Sequence, residues 1–396
     1  MASVERRSDD LAAGRLQTDE AGSRSQAVLA SDQPAGRRLT ESRGVEDHLA
    51  GDRSAKARRA ITLLIVLLAM AFLASIMLGV ANASVPAVIR LILGIEDGAA
   101  SLRDRIIILD IRLPRALLGL LVGSALAVSG ALMQGLFRNP LADPALVGVS
   151  SGAALGAVTM IVLGHALMPW LPPALSLLAL PLAAFLGGLA STLLLYRIAT
   201  SGQVTSVATM LLAGIALGAL SSAATGLLVF IADDRQLRDI TFWTLGSLAG
   251  ATWQKVAIAA PVILVALGIS SILARGLNAL TLGEAAAFHM GFSVQRLKIG
   301  AILCVAAATG AAVATSGAIG FIGIVVPHLL RLVIGPDNRY LLPASALLGA
   351  ALLLGADMIS RLVAAPAELP IGIITALAGA PVFLAILIRG RGRLGL

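Results

Sequence analysis

Residues 112–157 read RLPRALLGLLVGSALAVSGALMQGLFRNPLADPALVGVSSGAALGA, two apolar runs joined by a short polar turn. The first run carries no charged side chain between Arg115 and Arg138, and a helix needs about 20 apolar residues to cross a bilayer. The turn contains an Asn-Pro pair, which commonly ends a helix. The second run is again free of charge. This pattern predicts two consecutive membrane-spanning helices.

Apolar runs of this kind repeat nearly end to end from Ile61 to Ile388. The chain is 58% hydrophobic and 13% charged, whereas soluble domains carry roughly 25% charged residues. We therefore predict an all-α integral membrane protein with about ten transmembrane helices. The predicted spans lie near residues 61–80, 112–136, 144–164, 174–197, 205–231, 254–274, 296–316, 319–334, 341–363 and 370–388. The eighth is short and is expected to be tilted or partly re-entrant.

The distribution of basic residues predicts the topology. Basic clusters precede the first span, at residues 53–59, and follow the last, at Arg389, Arg391 and Arg393. Cytoplasmic flanks carry an excess of Lys and Arg, so both termini are placed in the cytoplasm, as an even number of spans requires. The formal charge of +8 is explained by this asymmetry and does not indicate a nucleic-acid partner.

Two regions of different composition define the predicted domains. Residues 1–60 mix charged residues, Ser and Gly with few bulky apolar ones, which predicts a disordered cytoplasmic tail. Residues 61–390 form the predicted ten-helix transmembrane domain. A cytoplasmic segment at 276–298 within it is expected to form a short amphipathic helix that stops at Gly291. It is either an interfacial helix or the handle for a soluble motor.

Motifs for chemistry are absent. No GxxxxGK[ST] phosphate loop and no GxSxG elbow occur, so no catalytic residues are predicted. The single cysteine, Cys304, excludes an internal disulfide, and the four scattered histidines predict neither a metal site nor a permanently bound cofactor. The spans contain few ionisable groups, which argues against a channel or secondary carrier and against a membrane enzyme. A separate ATPase is the simplest energy source.

Several long segments, in order, carry a family resemblance. Besides residues 112–157, they are SGAIGFIGIVVPHLLRLVIGPDNRYLLPASALLGA (316–350) and ADMISRLVAAPAELPIGIITALAGAPVFLAIL (356–387). They closely resemble the ABC-importer permease family for ferric siderophores, heme and cobalamin (FecCD/BtuC-like). The stretch LGEAAAFHMG (282–291) looks like that family's coupling segment.

The resemblance implies an ABC type II importer permease in the bacterial inner membrane. It implies a homodimer, with the translocation path at the interface between two copies of the chain. Two copies of a soluble ATPase, which uses ATP and Mg, dock on the cytoplasmic side, and a periplasmic binding protein docks outside.

Three arginines at the external ends of spans are candidate docking residues: Arg112, Arg115 and Arg361. From spacing alone they are interfacial residues that snorkel towards the headgroups. The resemblance implies instead that they pair with glutamates of the binding protein, because a guanidinium can hold a carboxylate bidentately. Glu368 is expected to be a local partner or a helix-start residue.

Cytoplasmic turns hold the other candidate sites. As turn residues alone they are plain helix breakers, and the resemblance implies gates and an ATPase-coupling segment. The implied gate residues are Asn139, Pro140 and Leu141, with Ser206, Val207 and Ala208 at a companion position; the coupling residues are Gly283, Glu284, His289 and Gly291. His328 is interpreted as a packing residue, and Trp243 and Trp253 as interfacial anchors.

The cargo is inferred from weaker cues. TFWTLGSLAGATW (241–253), LGEAAAFHMG and RLVAAPAELPIG (361–372) are most similar to the heme-importing branch of the family. An interior with few charged groups also suits a flat, mostly apolar porphyrin. Heme is therefore the predicted transported substrate, with a ferric siderophore or cobalamin as the alternatives.

Overall fold

The computed structural model describes residues 35–79, 102–167, 172, 176, 178–201 and 204–394. The chain divides into two units, residues 1–56 and residues 57–396. The first helices are α1 (Ala35–Met77), α2 (Leu102–Ile106), a π-helix (Ile107–Arg112), α3 (Leu113–Phe137), a 3-10 helix (Pro144–Val147), α4 (Val149–Leu167) and α5 (Ala179–Ala199). A two-stranded hairpin, β1 (Thr200–Ser201) and β2 (Val204–Thr205), leads into α6 (Val207–Phe230). The rest are α7 (Asp234–Leu245), α8 (Trp253–Thr281), α9 (Glu284–His289), α10 (Val294–Ser316), α11 (Ile322–Ile334), α12 (Asn338–Val363) and α13 (Ile371–Leu394).

The predicted number of spans is confirmed among the described residues. Eight helical stretches are long and apolar enough to cross a membrane, and two shorter apolar helices, Ile322–Ile334 and Ile371–Ile386, complete the predicted ten. The predicted eighth span corresponds to the short α11. Length and apolar content were sufficient for this prediction because a bilayer imposes both on every crossing segment.

The first helix begins earlier than the span predicted in it. α1 starts at Ala35, so residues 35–60 of the predicted tail are helical in the structure, while residues 1–34 lie outside the described residues. The stretch 35–60 contains no proline and is rich in Ala and Arg, which are good helix formers. Polarity predicted the absence of a core but did not exclude a helix.

α3 lies at the centre of the membrane domain. In the span that contains it, Arg103–Phe137, 89% of the most apolar stretch is buried, and α3 contacts α8, α10, α11 and α12. The backbones approach closely at glycines. A Cβ on Gly130 would overlap the carbonyl oxygen of Gly323 on α11, and one on Gly123 would overlap that of Gly349 on α12. Small residues therefore permit this packing, as is common in membrane helix interfaces.

Two segments between the predicted spans contain more helix than those spans include. The segment after α6 contains a helix, α7, which Asp233 and Gln236 start with a capping box: each side chain accepts a hydrogen bond from the other's backbone N–H, at 2.8 and 3.0 Å. The predicted coupling segment 276–298 is shorter, because α8 continues to Thr281 and α10 starts at Val294. α8 continues almost to Gly283, whose φ of 109° turns the chain out of the helix.

Candidate functional site

An irregular turn of helix orients the first two candidate docking arginines. A π-helix, Ile107–Arg112, runs directly into α3, which carries Pro114 in its first turn. Proline has no N–H to donate to the preceding turn, and such a loss favours a local change of hydrogen-bond register. Arg112 and Arg115 follow at a spacing of three residues, which places both on one side of the helix.

A buried carboxylate on α12 organises the arginine cluster, which comprises Arg112, Arg115, Arg361, Asp357 and Glu368. Asp357 is fully buried, and its Oδ1 accepts hydrogen bonds from Nε and Nη2 of Arg115 at 3.0 and 2.8 Å. Its Oδ2 lies 3.0 Å from Nη2 of Arg361, one helical turn further along α12. Nη1 of Arg115 also binds Glu368 at 2.8 Å. The guanidinium groups of Arg115 and Arg361 are thus balanced by two carboxylates, of which Asp357 is fully buried and Glu368 partly exposed.

The same arginines hold the end of α1. Nη1 of Arg112 donates to the carbonyl oxygens of Ile76 and Met77, at 2.8 and 3.0 Å. Arg361 donates to the carbonyl of Leu78 at 3.1 Å and to Oγ of Ser75 at 3.1 Å. The last carbonyls of a helix lack intrahelical partners and attract cations. Arginines from two other helices therefore cap the C-terminus of α1.

The three candidate docking arginines are buried in the structure. They are only 4–6% exposed, and the contacts described above are all internal to the subunit. Direct pairing with glutamates of a binding protein requires accessible guanidinium groups, and the docking role of these arginines stays a prediction. The prediction that Glu368 is a local partner is confirmed by its ion pair with Arg115. Asp357 was missed, although an Asp four residues before Arg361 in an apolar span was a readable signal.

The first candidate gate is a tight exposed turn. Arg138 ends α3 in the left-handed conformation, with φ 50°, and Oδ1 of Asn139 accepts a hydrogen bond from the backbone N–H of Leu141 at 2.9 Å. Asn139 and Pro140 are exposed and Leu141 is half-buried. Asp143 then caps the 3-10 helix, and its burial raises the pKa of its carboxyl, partly offset by the hydrogen bond from the Ala145 N–H.

The companion gate segment starts α6. Ser206 is the N-cap, and its Oγ accepts a hydrogen bond from the Thr209 N–H at 3.2 Å. Ser206 and Ala208 are exposed, whereas Val207 is half-buried. The 3-10 helix that follows the first segment contacts α6, so the structure brings the two turns to one region. Their function as gates stays a prediction.

The coupling residues surround the six-residue helix α9. Gly283 and Gly291, on either side of α9, have φ values of 109° and 86°, which only glycine adopts without strain. Glu284, in the first turn, forms an ion pair with Lys298 at 2.8 Å, and His289 is exposed. Three large apolar side chains around this helix are exposed by half or more: Leu282, Phe288 and Met290. A cluster of exposed apolar side chains at one turn is typical of a contact surface.

α6 presents a large unburied face. Only 17% of its most apolar stretch is buried, and the helix contains no Asp, Glu, Lys or Arg. Bulky side chains along it are strongly exposed: Leu212, Ile215, Leu220, Leu227 and Phe230. A face of this kind contacts lipid or another protein subunit.

The remaining candidates have simple environments. Nε1 of Trp253 donates to the carbonyl of Leu109 at 3.0 Å while the ring stays 44% exposed, in keeping with an interfacial anchor. Nδ1 of His328 has no hydrogen-bond partner among the described residues. Within the described part of the chain, no group of three or more His, Cys, Asp or Glu residues could hold a metal ion.

Comparison with known proteins gives a consistent picture. Residues 66–389 match the FecCD transport family. The chain is 50% identical to the hemin transport system permease HmuU of Yersinia pestis, over 72% of this chain and 83% of that protein. It is 46% identical to the cobalamin import permease BtuC of Halobacterium salinarum, over 72% and 73% of the two chains. The iron(III) dicitrate permease FecD of Escherichia coli is 41% identical over 75% and 90%.

One solved structure covers nearly the whole membrane domain. A metal-chelate type ABC transporter in an inward-facing conformation aligns with a TM-score of 0.72 and 32% identity. The alignment covers 84% of this chain and 99% of that one. The fold is therefore that of an ABC transporter permease.

Proposed function

Because this chain belongs to the FecCD transport family and is an ABC importer permease, we propose that it carries heme into the bacterial cytoplasm. The observation that carries the proposal is its 50% identity to a hemin permease. A cobalamin permease at 46% and an iron(III) dicitrate permease at 41% make a corrinoid or a ferric siderophore the second candidate.

The exposed face of α6 supports an apolar cargo. Two copies of the chain that meet along this helix would line their shared path with aliphatic side chains and Phe230, without a charged group from α6. Heme is a flat, largely apolar ring with two carboxylates at one edge. Heme can move along such a path without being bound tightly. The binding protein then selects the cargo.

The cytoplasmic face supports an ATPase partner. The exposed apolar tip around α9 offers Leu282, Phe288 and Met290 to a soluble subunit. Two copies of that subunit bind ATP and Mg and hydrolyse the ATP. The sequence of this chain contains no phosphate-binding loop for that reaction. The permease itself transports and is not the enzyme.

On the external face, we propose that the arginine cluster organises the docking surface for a periplasmic binding protein. It holds the ends of α1, α3 and α12 in one fixed arrangement through Asp357 and Glu368. The contacts themselves then come from side chains nearby that are exposed. This role fits the burial of the arginines better than direct pairing does.

Growth of a deletion strain tests the cargo. The strain is grown with heme or a ferric siderophore as the only source of iron, or with external cobalamin as the only source of that vitamin. A strain with the intact gene restored on a plasmid is the control. Loss of growth on heme alone, restored by the gene, supports the proposal. Loss confined to a siderophore or to cobalamin assigns the second candidate.

A further inference from the structure

A buried lysine connects the coupling helix to the candidate gate. Lys298, on α10, is 3% exposed, and its ammonium lies 2.8 Å from the carboxylate of Glu284 in the first turn of α9. The same Nζ donates to the backbone carbonyl of Thr205 at 2.9 Å. Thr205 directly precedes Ser206, the N-cap of α6. One side chain therefore contacts both cytoplasmic segments for which functions are proposed.

A second residue on the same helix face completes the connection. Gln295 lies one turn before Lys298; its Nε2 donates to Oγ1 of Thr205 at 2.7 Å, and its Oε1 accepts from the Thr205 N–H at 3.2 Å. Both backbone polar groups of Thr205 are thus held by α10. Within the hairpin, Oγ1 of Thr205 also lies 3.0 Å from Oγ1 of Thr200. We call this set, Glu284, Gln295, Lys298 and Thr205, the Lys298 link.

We propose that Lys298 is a positioning residue that makes the α9 helix and the start of α6 move together when the ATPase pulls on α9. The inference rests on the proposed function, since it assumes that α9 receives the motor. Its physical basis is the cost of separating these groups. Withdrawal of Glu284 would leave a buried ammonium without its counter-charge, and withdrawal of the hairpin would leave the Thr205 carbonyl unpaired. Neither segment can therefore shift alone at low cost.

Purely local packing is the competing explanation, and the charges argue against it. Glu284 is 43% exposed at its side chain and could be solvated without help, so folding of α9 does not require the pair. A buried, charged lysine costs folding free energy unless both of its partners stay in contact with it. The arrangement therefore suits transmission between two segments better than stabilisation of either one.

The test uses the full complex of permease, ATPase and binding protein in proteoliposomes. Lys298→Met is compared with Lys298→Arg, which keeps a cation, and with Arg296→Met, which removes an exposed cation from the same helix. Lys298→Met is expected to keep ATP hydrolysis but to lower the coupling ratio, the number of cargo molecules imported per ATP hydrolysed, by about tenfold. A change of this size corresponds to the loss of one charge-assisted hydrogen bond. Lys298→Arg is expected to keep most of the wild-type coupling ratio, and Arg296→Met is expected to leave the coupling ratio unchanged. An unaltered ratio in Lys298→Met overturns the inference.

A distance measurement separates this inference from the proposed function. Spin labels are placed at Val204 and Ala285, both exposed and neither part of the proposed ATPase contact, in a Cys304→Ala background that removes the only native cysteine. The intact link predicts one narrow label-to-label distance distribution with or without a non-hydrolysable ATP analogue, and Lys298→Met broadens it. Gln295→Leu is the second variant, in case Lys298→Met does not fold. Equal distributions in linked and unlinked permease overturn the link, even if the cargo or ATPase assignment proves wrong.

Discussion

Asp357 holds two guanidinium groups in a region from which water is excluded. Its carboxylate binds Arg115 through two nitrogens and Arg361 through a third, while Glu368 supplies the second negative charge. A buried ion pair contributes little compared with an apolar replacement, but removing one partner leaves a buried charge without compensation. The cluster is therefore more sensitive to the loss of Asp357 than to the loss of Glu368, which is partly exposed.

The first prediction concerns this charge. Asp357→Asn keeps the shape but removes the negative charge between Arg115 and Arg361, and it is expected to destabilise the subunit by about 3–5 kcal/mol. Thermal unfolding of the purified permease in detergent measures the effect. Asp239→Asn, at an exposed position on α7, is the matched control and should stay within about 0.5 kcal/mol of wild type. A wild-type melting temperature for Asp357→Asn would contradict the central place of Asp357.

The second prediction is a pH dependence at the start of α12. Burial opposes ionisation of Asp337, but hydrogen bonds from Arg339 and Asn278 outweigh it and hold the pKa of this carboxyl below its ordinary 3.8. A lowered pKa stabilises the fold above the ordinary value, and the contribution is lost as the pH falls through the lowered one. The stability difference between wild type and Asp337→Asn should therefore shrink below about pH 3.8. A constant difference from pH 6 to pH 3 in melting experiments would contradict this account.

At the scale of single residues, the sequence identified the important charged residues more reliably than it identified their ion-pair partners. Arg115 and Arg361 were singled out because charged residues at the ends of apolar runs are conspicuous. Their partner Asp357 was not, because contacts between α3 and α12 join residues more than two hundred positions apart. Only packing decides which carboxylate meets which guanidinium.

Among the elements, α9 depends on backbone freedom at its two ends. Gly283 has φ 109°, and a Cβ there would meet no atom within 4 Å, so any cost of substitution arises from the backbone alone. Gly283→Ala is expected to misplace α9 at a cost of about 1–2 kcal/mol and to weaken recovery of the ATPase by co-purification. Gly268→Ala in α8 also meets no atom within 4 Å but has no positive φ, so it should leave recovery unchanged. Equal recovery from both variants would argue against this role for α9.

Spanning helices were predictable because the bilayer requires long apolar segments wherever the chain crosses. The starts of α6 and α10 agree with the predicted spans to within two residues, at Val207 against 205 and at Val294 against 296. Elements outside the membrane carry no such constraint. α7 lies outside the predicted spans, although Asp233 and Gln236 form a readable capping box, because spans are predicted from long apolar runs alone.

The whole molecule is expected to work as a pair of chains that meet along α6. Ala219 lies on the exposed side of this helix, next to Leu220, in a position where two backbones can approach. In a Cys304→Ala background, Ala219→Cys should form a disulfide-linked dimer in native membranes under mild oxidation. Val265→Cys on α8, 62% exposed, is the control and should remain monomeric. A reversed result would place the dimer interface on another face.

The central claim is that this permease moves heme when a partner ATPase hydrolyses ATP. The most direct measurement is uptake into proteoliposomes that contain the permease, its ATPase and external binding protein, with labelled heme, ferric siderophore and cobalamin offered in parallel. The account predicts ATP-dependent accumulation of heme, and none of it when ATP is replaced by a non-hydrolysable analogue. ATP-dependent accumulation of siderophore or cobalamin without heme, or heme entry that does not require hydrolysis, would contradict it.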